Sequence, residues 1–162
     1  MEKIINLNGK DIKLNFDELD NLALEEILTI DYTKIEEEAA IFPFIVNQIN
    51  FLLIEASDAV RKEEFQLECV QSNLDEYKAN SFLKVKKELQ EKGEKNPTIS
   101  LIESQIALQE GYKNLKESIR GQKIKIAEVT KNRDLLNGLY WSASSKMKLL
   151  INLSNSISKE NV

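Results

Sequence analysis

The side chains that could do chemistry in this chain are mainly lysines and arginines, placed in two segments that also carry aromatic residues. The sequence has 22 Lys and Arg residues, no histidine and a single cysteine, Cys69. Histidine-based catalysis, thiolate zinc sites and internal disulfides are therefore excluded. We expect Cys69 to be a buried or half-buried thiol without a role, because no histidine can activate it. The sequence predicts no enzyme, no cofactor and no metal site.

Eight cations form a predicted nucleic-acid-binding set, because cations hold phosphates and exposed aromatic faces stack on bases. They are Lys78, Lys84, Lys86, Lys87, Lys113, Lys116, Arg120 and Lys123. Residues 111–148 carry nine bases against three acids, whereas the whole chain has a net charge of −5. A solvated lysine-rich surface is the competing interpretation. Tyr77 and Tyr112 fall in an apolar seam, where packing is the more common role.

Acidic side chains are concentrated at the front of the chain, where residues 1–40 carry eleven acids and four lysines. The run Glu36, Glu37 and Glu38 could form a metal cluster or paired acid–base carboxylates. A helix points adjacent residues in different directions, so a solvated acidic face is the better interpretation. Glu36 and Glu37, together with Trp141, which lies off the apolar seam, are the predicted contacts with a protein partner.

The N-terminal 32 residues predict a small β-hairpin followed by a short helix. Two apolar runs flank Asn8-Gly9, a dipeptide that supplies the positive φ angles of a tight hairpin turn. Asp17 can cap the short helix. Thr33 with Glu36 three residues later forms a capping box that predicts a second helix start. Pro43 lies soon after this start and predicts a kink or a break near it.

Two long helices are predicted for the remainder, because apolar residues recur at steps of four and three. The first seam starts at Phe42 and is interrupted only by Glu63. The turn EKGEKNP follows, and Ser100 with Glu103 forms another capping box. The second seam visits seventeen positions from Leu101 to Ile157, thirteen of them apolar. Its four exceptions are Gln105, Gln122, Arg133 and Ser154.

The predicted fold class is mainly α, a long antiparallel coiled-coil-like helical hairpin with a small N-terminal β-hairpin and short helix. The predicted divisions are residues 1–32 for the N-terminal part, 33–157 for the helical hairpin domain and 158–162 for a disordered tail. Helices of this length are too long for one partner helix to cover on all sides, so we expect a homo-oligomer. The sequence lacks a run of 18 apolar residues and a signal-peptide pattern. We therefore expect a cytoplasmic protein without a membrane role.

The segment from Ile30, I-D-Y-T-K-I-E-E-E-A-A, resembles the I-D-x-T-K-[I/L]-x-x-E-A-A segment of UvsY, the recombination mediator of tailed bacteriophages. Leu74-Asp75-Glu76-Tyr77 is similar to the L-D-x-Y of that family and lies at nearly the corresponding distance. The long C-terminal helix after a polar turn is also similar. The resemblance covers about two-thirds of the chain, loosely, and leaves the N-terminal hairpin and first helix without a counterpart.

The resemblance implies a helical, non-catalytic protein that forms a ring-like oligomer, binds single-stranded DNA and helps load a recombinase where single-strand-binding protein sits. The basic Lys-Ala-Arg of that family corresponds to Gln71, Ser72 and Asn73 here, so the cations are missing from the matched positions. DNA contact is then expected at the lysines near the turn. The missing cations favour the alternative hypothesis, a protein-binding helical module without nucleic-acid binding, such as a phage inhibitor of a host factor or a virion scaffold.

Overall fold

The computed structural model describes residues 2–7, 10–15 and 27–160, most of which are helical. The strands are β1 (Glu2–Leu7) and β2 (Lys10–Asn15), and the helices are α1 (Ile35–Glu91), α2 (Ile99–Leu108) and α3 (Glu110–Glu160). The prediction of a mainly helical chain is confirmed, and the two long helices fit the predicted helical hairpin. Helix α3 extends to Glu160, three residues beyond the predicted end of the hairpin domain.

Strands β1 and β2 pair in antiparallel register, with Ile5 opposite Ile12 and Leu7 opposite Lys10. The predicted turn at Asn8-Gly9 lies outside the described residues. So does the predicted short helix, apart from its helical last two residues, 27 and 28.

The chain divides into two compact units. Unit 1 comprises Met1–Ala59 and Val129–Val162, and unit 2 comprises Val60–Glu128. Each long helix contributes one part to unit 1 and the other part to unit 2, because α1 contains residue 60 and α3 contains residue 128.

The core of unit 1 forms where the apolar seams of the two long helices meet. Its fully buried side chains include Phe42, Ile45 and Ile49 from α1 and Leu136 and Leu150 from α3. These positions belong to the spacing of three and four that keeps one stripe of a helix towards its neighbour. Burial of such large apolar side chains stabilises a fold by about 1.5–3 kcal/mol each.

A buried lysine fixes the segment before α1 to the core of unit 1. The Lys146 Nζ donates hydrogen bonds to the carbonyl oxygens of Ile27 and Thr29, at 3.0 and 2.6 Å. It also lies 3.1 Å from Glu38 Oε2 and 4.4 Å from the centre of the Phe42 ring. An ammonium group can be buried here because carbonyls, a carboxylate and an aromatic face replace water around it.

Unit 2 packs α1 against α2 and the start of α3 through Val85, Ile102 and Ile106. The Tyr77 hydroxyl donates to Gln109 Oε1 at 2.8 Å. The Tyr77 ring lies so close to Gly111 that a Cβ there would be 2.7 Å from the ring. An alanine at position 111 would therefore displace the Tyr77 ring.

Two polar interruptions, Glu63 from the first seam and Gln122 from the second, contact each other in unit 2. The amide Nε2 of Gln122 donates to the backbone carbonyl of Glu63 at 2.9 Å and to its carboxylate at 2.6 Å. Gln122 is 7% exposed, so this contact satisfies a polar group inside the packed surface.

Several predicted helix boundaries are wrong. Helix α1 begins at Ile35, and Thr33 instead donates its N–H and its hydroxyl to Asp31 Oδ1. These hydrogen bonds, the hydroxyl's first, lower the pKa of Asp31. The acid that reaches back to the preceding backbone is Glu38, whose Oε1 accepts the Asp31 N–H at 3.1 Å, and not the predicted Glu36.

Four further expectations are corrected. Of the kink or break expected near Pro43, the break is absent, since α1 continues through this residue. The cap of α2 is Thr98, whose hydroxyl accepts the Leu101 N–H, and not Ser100. The long return helix is divided at Gln109, whose extended backbone separates α2 from α3. Cys69 is exposed.

Candidate nucleic-acid interface

Four of the eight predicted cations form a stripe along one side of α3, which we call the α3 stripe: Lys113, Lys116, Arg120 and Lys123. The separations of three, four and three residues place them on one helix face. All four are exposed. They cover about 15 Å along the helix at a rise of about 1.5 Å per residue. The α3 stripe is therefore a continuous cationic surface on a rigid element.

Few acids interrupt the α3 stripe. Glu117 stands four residues after Lys113 and three before Arg120, at the edge of the same face. The Lys116 Nζ lies 5.7 Å from the centre of the Tyr112 ring, within the range of a cation–π contact. This contact places an aromatic group beside the cations.

The four predicted cations of α1 do not form a comparable stripe. Lys78 is paired with Asp75, with 3.2 Å between Nζ and Oδ1. Lys84, Lys86 and Lys87 are exposed, but helix geometry turns Lys86 about 160° away from Lys84. Lys84 and Lys87 share a side, and each has an acid four residues later, Glu88 and Glu91 respectively. Their charge is therefore partly balanced on the same face.

Unit 2 also contains an open groove of about 450 Å³ between α1, α2 and the start of α3. Its lining residues are Lys78, Phe82, Glu103, Ser104, Ile106, Ala107 and Tyr112. Phe82 and Tyr112 are half-buried, so each is packed yet reaches the groove. Tyr77, predicted to belong to the packed seam, is half-buried and hydrogen-bonded to Gln109.

The charge of the chain is unevenly divided between the two units. Unit 2 has thirteen Lys and Arg against twelve Asp and Glu, a balance of +1, and unit 1 has nine against fifteen, a balance of −6. All eight predicted nucleic-acid-binding cations belong to unit 2. Gln71, Ser72 and Asn73, at the positions where the UvsY pattern has cations, are exposed and uncharged.

The predicted protein-partner contacts belong to unit 1. The Trp141 side chain is 62% exposed, and its ring contacts Tyr140 edge-on at 5.7 Å between centres. Glu36 and Glu37 are exposed in the first turn of α1, whereas Glu38 turns towards Lys146. Within the described residues, no group of three Asp, Glu or Cys side chains is placed to hold a metal ion.

An exposed apolar surface on α1 was not identified from the sequence. Phe44 and Phe51 are 69% and 67% exposed, and Ile41 and Ile54 also reach the surface. Separations of three and seven residues place all four on one side of the helix. Helix α1 contains a stretch long and apolar enough to cross a membrane by length and composition, of which 28% is buried. The spacing of the apolar seam identifies the face of α1 that packs in the core. It does not reveal this second apolar face, which is exposed.

Comparison of the chain with protein families, curated proteins and solved structures finds no match. The interface is therefore interpreted from its own chemistry. The α3 stripe can hold successive phosphates of one strand, and the groove beside it offers aromatic walls and hydrogen-bonding groups.

Proposed function

We propose that this protein is a non-catalytic recombination mediator of the UvsY type, an oligomeric adaptor that binds single-stranded DNA and recombination proteins. The observation that carries the proposal is the α3 stripe, four exposed cations on one face of a helix. The resemblance of the Ile30 segment and of Leu74-Asp75-Glu76-Tyr77 to UvsY supports it.

The proposed binding mode is electrostatic tracking of the phosphate backbone. Each cation that meets a phosphate releases condensed counterions, so affinity comes largely from the salt-dependent term and is independent of base sequence. A rigid helix keeps the cations in line, which reduces the ordering cost of binding. Such a protein binds a single strand without catalysing a reaction, and the strand stays available for transfer to other proteins.

The adaptor role needs protein partners as well, and unit 1 is the proposed region for them. Its balance of −6 disfavours DNA and suits contact with cationic protein surfaces. The proposed partners are a recombinase and single-strand-binding protein, with Glu36, Glu37 and Trp141 among the contacts. We place the protein in the cytoplasm, without a membrane role, and assign the exposed apolar face of α1 to contact with other copies of the chain.

Fluorescence anisotropy with a labelled single-stranded oligonucleotide tests the DNA part of this proposal. We expect binding that weakens steeply with salt. Charge reversal at three stripe positions, K113E, K116E and K123E, should lower the affinity and reduce the slope of log K against log salt by about 2, at about 0.7 per lost phosphate contact. The matched control reverses three exposed lysines of unit 1, K131E, K148E and K159E.

Equal loss of affinity in the stripe variant and the control would show that only net charge matters. Absence of salt-sensitive binding by the wild-type chain would overturn the proposal. A labelled duplex of the same sequence is titrated separately for comparison, and we expect the protein to bind it more weakly than the single strand.

The alternative function is a protein-binding helical module without nucleic-acid binding. The exposed Phe44, Phe51 and Trp141 of unit 1 favour it, because exposed aromatic side chains are typical of protein interfaces. Charge reversal at the stripe lysines Lys113, Lys116 and Lys123 separates the two functions. A mediator should lose part of its affinity for DNA, whereas a protein-only module should lose little or nothing.

A further inference from the structure

We propose that the groove of unit 2 is a nucleobase slot, which takes one unstacked base from the strand held by the α3 stripe and prefers bases that carry an exocyclic amine. The proposal rests on the proposed function, because the strand must first be bound. It goes beyond that function by assigning base contact to named side chains.

The walls of the groove suit a base. Phe82 from α1 and Tyr112 from α3 both line it, and Ile106, buried, forms apolar lining between them. Aromatic side chains stack on any base, and this contact supplies much of the affinity of single-strand binders. A volume of about 450 Å³ lies within the usual range of small-ligand sites.

The cations beside the groove suit the phosphates that flank such a base. The Lys78 side chain lines the groove and is 45% exposed, with its ammonium paired to the exposed Asp75. Lys116 lies over the Tyr112 ring and belongs to the α3 stripe. A strand that follows the stripe therefore passes the groove at Tyr112, one residue before the first stripe cation.

The groups at the rim give the slot its chemical preference. Glu103 contributes a carboxylate, which is acceptor-only when ionised. Carboxylates accept from the N4 amine of cytosine, whereas thymine offers an O4 acceptor at the same place. The Ser104 hydroxyl donates to the Leu101 carbonyl at 2.8 Å, which leaves its oxygen as a second acceptor towards the groove. The slot should therefore accept cytosine and disfavour thymine.

The smaller groove on the other side of α2 lacks this chemistry. It measures about 260 Å³ and is lined by Val85, Glu88, Leu89, Lys92, Gln105, Leu108 and Gln109, none of them aromatic. Without a stacking surface it offers no base a favourable site.

Anisotropy titrations with oligo(dC) and oligo(dT) of equal length test the slot. We expect the wild-type chain to bind oligo(dC) about fivefold to tenfold more tightly, because one favourable pairing discriminates between bases at that level or above. Glu103→Gln should remove the preference, since an amide both donates and accepts. Tyr112→Leu should weaken binding of both oligonucleotides about tenfold through lost stacking.

The control for Tyr112→Leu is Tyr140→Leu, a half-buried tyrosine of unit 1, which should leave DNA affinity unchanged. Circular dichroism of each variant checks the fold. Equal affinity for oligo(dC) and oligo(dT), with stripe-dependent binding intact, would overturn the slot and leave the proposed function standing. Absence of binding to either oligonucleotide would overturn both.

Discussion

The glycines of α3 show how differently one residue type can act along a single helix. A Cβ at Gly111 would lie 2.7 Å from Tyr77 Cε2, whereas a Cβ at Gly121 or Gly138 meets nothing within 4 Å. The first position serves the close approach of two chain segments. The other two carry the usual cost of glycine in a helix without a packing benefit.

Alanine in place of Gly111 and alanine in place of Gly121 should therefore change the free energy of unfolding in opposite directions. Gly111→Ala should destabilise the protein by about 1–3 kcal/mol, because the Tyr77 ring must move away and its hydrogen bond to Gln109 is disturbed. Gly121→Ala should stabilise by about 0.5–1 kcal/mol. Urea unfolding followed by circular dichroism measures both. Changes of the same sign would contradict the assigned role of Gly111.

Lys146 marks the limit of sequence analysis for single residues. From the sequence it counts as one of nine bases in residues 111–148, yet it is 8% exposed and held by the carbonyls of Ile27 and Thr29. Its acceptors lie more than a hundred residues away. Spacing within one helix contains no information about such a partner, so only the folded chain separates this lysine from the exposed stripe cations.

At the level of helices, the polar exceptions to the apolar seams have different roles. Glu63 and Gln122 bond to each other inside unit 2, whereas Gln105 is exposed. Arg133 pairs with the adjacent Asp134 at 2.7 Å. A polar pair in a packed helix contact costs stability relative to apolar residues, but a shifted register leaves it unsatisfied and is disfavoured.

A double-mutant cycle tests this role of the Glu63–Gln122 pair. Gln122→Leu should destabilise by about 1–3 kcal/mol, because it leaves the half-buried Glu63 carboxylate without its partner. Glu63→Leu should cost less, because the Gln122 amide keeps its hydrogen bond to the backbone carbonyl of residue 63. The double variant should regain wild-type stability or exceed it, which gives a coupling of about 1–3 kcal/mol. Urea unfolding measures the cycle, and Gln105→Leu, at an exposed exception, should stay within about 0.5 kcal/mol. Additive losses in the double variant would show that the pair has no specific role.

The long helices and the turn between them were predictable because they depend on local repeats and on strong breakers. Apolar steps of three and four predict a helix face directly, and Gly93 with Asn96 and Pro97 ends the pattern. The division at Gln109 was not predictable, because the apolar period continues across it. It coincides with the contacts of Tyr77 at Gln109 and Gly111.

The candidate interface was predictable only in part, for a related reason. The sequence identified the cations of α3 by their density, but a density does not separate exposed from buried cations or aligned from scattered ones. The groove with Phe82 and Tyr112 needs three helices to form. Phe82 and Tyr112 are separated by 30 residues along the chain, so no local pattern joins them.

At the scale of the whole molecule, unit 1 has two exposed apolar surfaces that we expect to be buried by contact with another copy of the chain. One is the α1 face with Phe44 and Phe51, and the other lies on α3 with Trp141 and Leu149, whose separation of eight residues places them on one side of the helix. Two different surfaces on one chain permit a head-to-tail contact, which gives a ring where the rotation between copies closes and an open filament where it does not.

A mixing experiment tests the head-to-tail assembly. F44E with F51E should disable the α1 surface, and W141E with L149E the α3 surface, so each double variant should be monomeric by light scattering. An equal mixture should form a dimer, because each chain keeps the surface that the other lacks. The control replaces two exposed apolar residues of unit 2, L83E and I99E, and should assemble like the wild-type chain. Monomers in the mixture would contradict a head-to-tail contact.

The placement of two unique residues makes the halves of the chain separately observable. Trp141 is the single tryptophan and belongs to unit 1, while Cys69 is the single cysteine, exposed, and belongs to unit 2. Indole emission therefore follows one half, and a dye coupled to the thiol follows the other. The order in which the halves melt, and which of them a bound strand or protein protects, becomes measurable in the natural sequence without introducing a probe residue.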